Sequence, residues 1–143
     1  MEYAHASFAT IAIVLGGLQL IRRKAGIMHR LTGRIYLGAM ALTALSSFFL
    51  TGMTGTFSFL HILSVWTLFT LAQTLWHLRT GNILGHALSM IWLYGGLLTA
   101  GLLAANRHGL DLSPALLTGV LLVLWSGVVF LSSNARTRMR SAA

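Results

Sequence analysis

The chain has no cysteine, one proline and two acidic residues among 143. Without cysteine it can build neither a disulfide framework nor a thiolate metal site. Its acids, Glu2 and Asp111, both fall outside the apolar cores of the chain. A carboxylate metal centre or a proton-coupled transporter, each of which needs acidic groups within the membrane, therefore lacks its donors. No glycine-rich phosphate loop is present. Ser46, Ser47, Ser89 and Thr99 lack a base and an orienting acid in matched positions, so they read as interhelical hydrogen-bonders and not as nucleophiles. No hydrolase or transferase signature follows from them. Charge of either sign is scarce, at 8% of residues against 56% hydrophobic, which is outside the balance of a water-soluble globule. The net charge of +8 does not point to nucleic acid, because the basic residues sit at the ends of apolar runs and not along one face.

What is present is a series of apolar runs, each near the roughly 20 residues a helix needs to cross a bilayer. The pattern predicts an all-α membrane protein with five transmembrane helices. The first runs from Ala4 to Ile21 and stops at Arg22, Arg23 and Lys24; the second runs from Leu31 to Gly52, behind His29 and Arg30. A third starts near Phe57, after the Gly52-Met53-Thr54-Gly55 connection, and ends at Trp76, His77 and Arg79. Thr80-Gly81-Asn82 marks a turn into a fourth, Ile83 to Ala105. After Asn106 to Ser113, Pro114 opens a fifth that continues to Leu131, at the helix position where proline is tolerated. Nine of the ten Lys and Arg residues fall in the loops after the first and third helices, at the start of the second or in the tail, leaving only Arg107 on the other side with Glu2 and Asp111. The excess of basic residues marks the cytoplasmic side, so the expected topology is multi-pass in a bacterial inner membrane, amino terminus outside and carboxyl terminus inside. The first helix is expected to remain in the mature protein: Glu2 but no basic residue leads it, and no small-residue cleavage pattern follows.

The histidines expose a repeat. His5 and His29 are 24 residues apart, at the outer end of helix one and the inner start of helix two; His61 and His86, 25 apart, repeat this in helices three and four. Tyr36 follows His29 and Tyr94 follows His86 by about two turns. Residues 4–52 and 57–105 then form parallel repeats, four helices of a bundle, with residues 114–131 as an added helix. On helix one, His5, Ala9, Ala12, Gly16 and Gln19 form a narrow stripe of small and polar residues; His29, Gly33, Tyr36, Met40, Thr43 and Ser47 form its equivalent on helix two. These are the expected packing faces.

The segments Lys24-Ala-Gly-Ile-Met-His29-Arg-Leu-Thr-Gly33-Arg34-Ile-Tyr36 and Ser46-Ser-Phe-Phe49 resemble a bacterial membrane family, domain of unknown function 2306. Phe59-Leu-His61-Ile-Leu-Ser64, Gly81-Asn82, His86, Met90, Leu93-Tyr94, Gly95-Gly96 and Ala100-Gly101 look like its later signature. The resemblance covers Ala4 to Gly101. It departs where members continue with an aromatic and a Pro-Gly-Arg turn and this chain has Leu102 to Asn106 and Arg107-His108-Gly109. It implies a multi-span membrane protein and assigns no activity.

The four repeat-related histidines sort into two levels, His5 with His61 and His29 with His86. Each level takes one imidazole from each repeat, the donor set for a haem b with two axial histidines. The layout is similar to the ascorbate-reducible dihaem cytochromes b, at the level of fold only. From His61 to Arg79 is 18 residues, which sets the levels roughly 25 Å apart at 1.5 Å per residue, a span suited to carrying electrons across a bilayer. In this reading Arg30 and Arg34 neutralise propionates, and Tyr36 and Tyr94 flank the sites, although headgroup anchoring is the simpler role for Arg34 and packing for the tyrosines. His77 and His108, without repeat partners, read as interfacial residues. The competing reading is a non-catalytic scaffold or a subunit that binds quinone or lipid in a pocket lined by Trp66, Trp76, Trp92, Met40 and Met90. The lipid bilayer is the expected partner, nucleic acid is not, and both a redox partner and a homo-oligomer are compatible with the chain.

Overall fold

A computed structural model describes residues 2–21, 26–50, 59–106, 109 and 113–140. Arg22 to Lys24, the Gly52 to Gly55 connection with Phe57, and Arg107, His108 and Asp111 lie outside the described residues. Five helices follow in order among them: α1 (Glu2–Ile21), α2 (Gly26–Ser47), α3 (Phe59–Arg79), α4 (Ile83–Ala105) and α5 (Pro114–Arg140). Three of these, α1, α4 and residues 117–134 of α5, are long and apolar enough to cross a membrane. The protein is an all-α membrane protein, and its surface agrees: Ile21, Ile27, Trp66, Trp76, Leu122 and Phe130 each expose more than half of their surface. A water-soluble protein rarely leaves so much large apolar surface uncovered.

Two helices differ in extent from the apolar runs. α2 begins at Gly26 and ends at Ser47, where the runs indicate Leu31 and Gly52. Its basic first turns are helical because Arg and Met are good helix formers whatever the solvent. At its end Ser46 and Ser47 donate to the carbonyls of Thr43 (3.0 Å) and Ala44 (2.6 Å), and Phe48, Phe49 and Leu50 continue only through bonds to the third residue back. Hydroxyls competing for carbonyls in this way loosen a regular helix. α5 continues past Leu131 to Arg140, since no glycine or proline interrupts its polar end. The end of an apolar run marks the edge of the bilayer, not the end of the helix.

The chain divides into two compact units, Met1–Ala72 and Gln73–Ala143, with the boundary inside α3. In the first, α1 and α2 pair as an antiparallel hairpin. The buried residues are Ala12, Gly16 and Gln19 on α1 and Tyr36, Ala39, Met40 and Ala44 on α2. The hairpin is pinned at both ends. His5 Nδ1 lies 2.9 Å from Ser46 Oγ at one, and at the other Gln19 Nε2 donates to the His29 carbonyl (3.0 Å) and Thr32 Oγ1 (2.7 Å). The pins are 14 residues apart on both helices, so the two chains run in register with no slip. Gly33 provides the space for this amide, since a Cβ there would meet Gln19 Nε2 at 3.2 Å.

In the second unit the turn between α3 and α4 is held entirely by local bonds. Asn82 N–H donates to the His77 carbonyl (2.9 Å) and Gly81 N–H to that of Leu78 (3.4 Å), with Gly81 at φ +71°. This is the Schellman arrangement, which needs a residue at ease in the left-handed region. Asn82 Oδ1 then accepts from Gly85 N–H (2.8 Å) and caps α4. Gly81→Ala and Asn82→Ala should each lower stability by about 1 kcal/mol, read as a lower midpoint of mixed-micelle unfolding. Beyond the turn α4 meets α5. Gly95 lies under Val128, and the rings of Trp92 and Trp125 stand 5.0 Å apart.

Candidate functional site

Two of the four repeat-related histidines flank the same end of α2. His5 approaches it from α1 through Ser46, and His61 from α3, where its ring lies 5.8 Å from that of Phe48. Ser47 and Ser64 hydroxyls meet at 2.5 Å beside them, joining α2 to α3. His61 is buried, as are Ser64 and Thr70 on the same helix, while Ile62, Val65, Trp66 and Phe69 are exposed. α3 therefore turns its polar residues inward and its large apolar ones outward, the reverse of a water-soluble helix.

Hydrogen bonds orient two of the rings. Ser46 Oγ lies within hydrogen-bond reach of both the Thr43 carbonyl (3.0 Å) and His5 Nδ1 (2.9 Å), so it holds that face of the His5 ring. In the second unit, His86 Nδ1 lies 3.3 Å from the Thr74 carbonyl oxygen, which is only an acceptor, so this bond puts the hydrogen on Nδ1. An imidazole held through Nδ1 by an oxygen is oriented as metal-ligating histidines are.

His29 is different. Its backbone carbonyl takes the Gln19 bond, while its Nδ1 is buried with no hydrogen-bond partner among the described residues. It belongs to the first unit and His86 to the second. Among the described residues no three histidine or acidic side chains gather as they would for a non-haem metal.

The other candidates take plainer positions. Tyr36 is fully buried, among the residues that bring α2 against α1. Tyr94 is half-buried on α4. Arg30 and Arg34 are exposed. His77 packs in the α3–α4 turn, where a Cβ on Gly85 would come 2.7 Å from its Nδ1. Trp66 and Trp76 are 64% and 66% exposed, so they line no interior pocket, and Met40 is buried in the hairpin. Ser46 and Ser47 do bond between helices, whereas Thr99 bonds the Gly95 carbonyl of its own helix. The part Ser46 plays in orienting His5 escapes a reading of spacing. Its only sequence signal is the pair of serines at the end of an apolar run.

Comparison with known proteins agrees with the motifs and extends them. Residues 2–130 match a family described as predicted membrane protein, DUF2306, so the likeness runs past Gly101 and well into α5. No curated protein and no solved structure matches the chain. With a match across most of its length and motifs in both units, the chain belongs to the DUF2306 family of predicted membrane proteins.

Proposed function

We propose that this protein is a multi-pass protein of the bacterial inner membrane that holds b-type haem through paired histidines, the pair within the first unit being His5 with His61, and transfers electrons. The observation that carries the reading is the anchoring of His5 and His86: each ring is held through Nδ1 by an oxygen, the kind of hold that orients metal-ligating histidines. The Nδ1 of His29 differs in being buried with no hydrogen-bond partner among the described residues, a cost that a bound group would offset. Bound haem supplies one-electron redox chemistry. The residues themselves bind, orient and exclude water: Ser46 and the Thr74 carbonyl aim two rings, and Phe48 shields a third.

Five spans support such a role. In this reading α3 spans although it carries His61, Ser64, Thr70 and Thr74, because all four are buried. α2 spans from behind Arg30 and Arg34, which stand in its first turns. Neither helix loses an apolar outer surface by this. With the basic loops in the cytoplasm the amino terminus is outside, and His5 and His61 belong to the outer level. A visible spectrum of detergent-purified protein from haem-replete cells tests the reading. A Soret band with a sharpened α-band on dithionite is the expected result; a featureless spectrum would sink the proposal and leave the scaffold or small-ligand reading.

A further inference from the structure

Arg30 and Arg34 stand four residues apart, so they lie one above the other on the first turns of α2, and both are exposed. Arg34 is five residues from His29, about 140° round the helix, and so turned away from the stripe that carries His29 and Tyr36. Its companions on the outer side are Ile27, Leu31, Leu42 and Leu45, all exposed. A guanidinium one turn into an apolar, membrane-facing stripe requires an anion beside it, because an unpaired charge there is costly.

Among the described residues the only acid is Glu2. The chain has two acids for ten Lys and Arg residues. Glu2 begins α1, and the register of the hairpin sets it level with the end of α2, a helix length from Arg30. Asp111 is one carboxylate, far along the chain, for the whole remaining excess. The described residues offer Arg34 no carboxylate, and the excess calls for a countercharge from outside them, on a molecule that tolerates the leucine-lined stripe.

We infer that Arg30 and Arg34 clamp the phosphate of an anionic phospholipid, whose acyl chain runs along Leu31, Leu42 and Leu45. Arginine suits this better than lysine, since its planar fork meets a phosphate with two parallel bonds. The site is independent of the haem reading, and it places Arg34 on lipid, away from any group held by His29.

The full-length protein, purified in an uncharged detergent, tests this by native mass spectrometry with dioleoyl-phosphatidylglycerol or dioleoyl-phosphatidylcholine added. The wild type should retain the anionic lipid roughly thirtyfold more than the zwitterionic one, the preference expected of two arginines at a lipid surface. Arg30→Gln/Arg34→Gln should abolish the preference, and Arg30→Lys/Arg34→Lys should keep part of it. Arg79→Gln, which removes an exposed charge from the end of α3, should leave it intact. The inference fails if the wild type shows no preference, if the double glutamine variant keeps it, or if Arg79→Gln abolishes it equally, which would mean diffuse charge. It fails also if millimolar inorganic phosphate displaces the lipid, which would make this a free-anion site.

Discussion

Gly95→Leu is expected to separate α4 from α5 and to produce the largest loss of stability of any single change in the second unit. A Cβ at this position would stand 2.5 Å from Val128 Cγ2, with Cγ1 and Cβ of the same residue at 3.5 and 3.6 Å. Val128 is buried and β-branched, so its side chain has one favoured rotamer in a helix and cannot swing aside. The helices must therefore part. In water some of that cost would be offset by other apolar burial, but in lipid no hydrophobic force draws two apolar helices together. Close approach over small residues is itself the driving term. Even Gly95→Ala should cost about 1 to 3 kcal/mol by overpacking. Gly95→Leu should cost more, and it should move Trp92 and Trp125 out of their 5.0 Å contact, changing tryptophan emission. Val128→Ala placed in the Gly95→Ala background should restore most of the midpoint, because it removes the atom that clashes. A Gly95→Leu protein with wild-type unfolding and unchanged emission would show that the two helices do not rest on this contact.

Much of this packing is legible in the sequence, for a reason particular to membranes. Small and polar residues at alternating spacings of three and four identify the buried stripe, since lipid removes any cost of exposing leucine. Ala12, Gly16 and Gln19, and Tyr36 and Met40, fall on the faces that the spacing indicates. Ala39 and Ala44 do not belong to that stripe, yet they are buried, because alanine in an apolar run carries no contrast with its neighbours. The pairing of α4 with α5 is less visible. It depends on the depth of a groove at Gly95 and the shape of Val128, neither of which periodicity encodes. The histidines are visible as a repeat, but the partners that hold their rings are not. Ser46 is 41 residues from His5, and the acceptor for His86 is a backbone carbonyl, which no sequence pattern announces. Arg34 shows the same limit from the other side: its charge is plain in the sequence, whereas its separation from the His29 face appears only once residues are placed around the helix.

The sharpest test of the histidine reading is a graded series at the His5 end of the hairpin. His5→Ala and His61→Ala should each remove most of the bound haem from purified protein, since b-type haem is held by its axial ligands and by packing, without a covalent link. The double variant should show no Soret band. Ser46→Ala asks a finer question. It keeps the imidazole of His5 but deletes the oxygen that holds Nδ1, and losing such an orienting partner typically weakens metal binding by about 10- to 100-fold. The variant should therefore lose haem at limiting concentration, regain it when haem is added in excess, and show a changed midpoint potential, because the hydrogen bond to a ligating imidazole tunes its basicity. Ser46→Thr, which restores a hydroxyl, should recover the wild-type potential. A purely structural role predicts otherwise. The His5–Ser46 bond would then serve only to pin α1 to α2, so His5→Ala and Ser46→Ala would lower the unfolding midpoint equally and leave haem content and potential where they were. Ring orientation without a ligand is what separates the two, and a shift in potential at constant stability is a result that pinning cannot give.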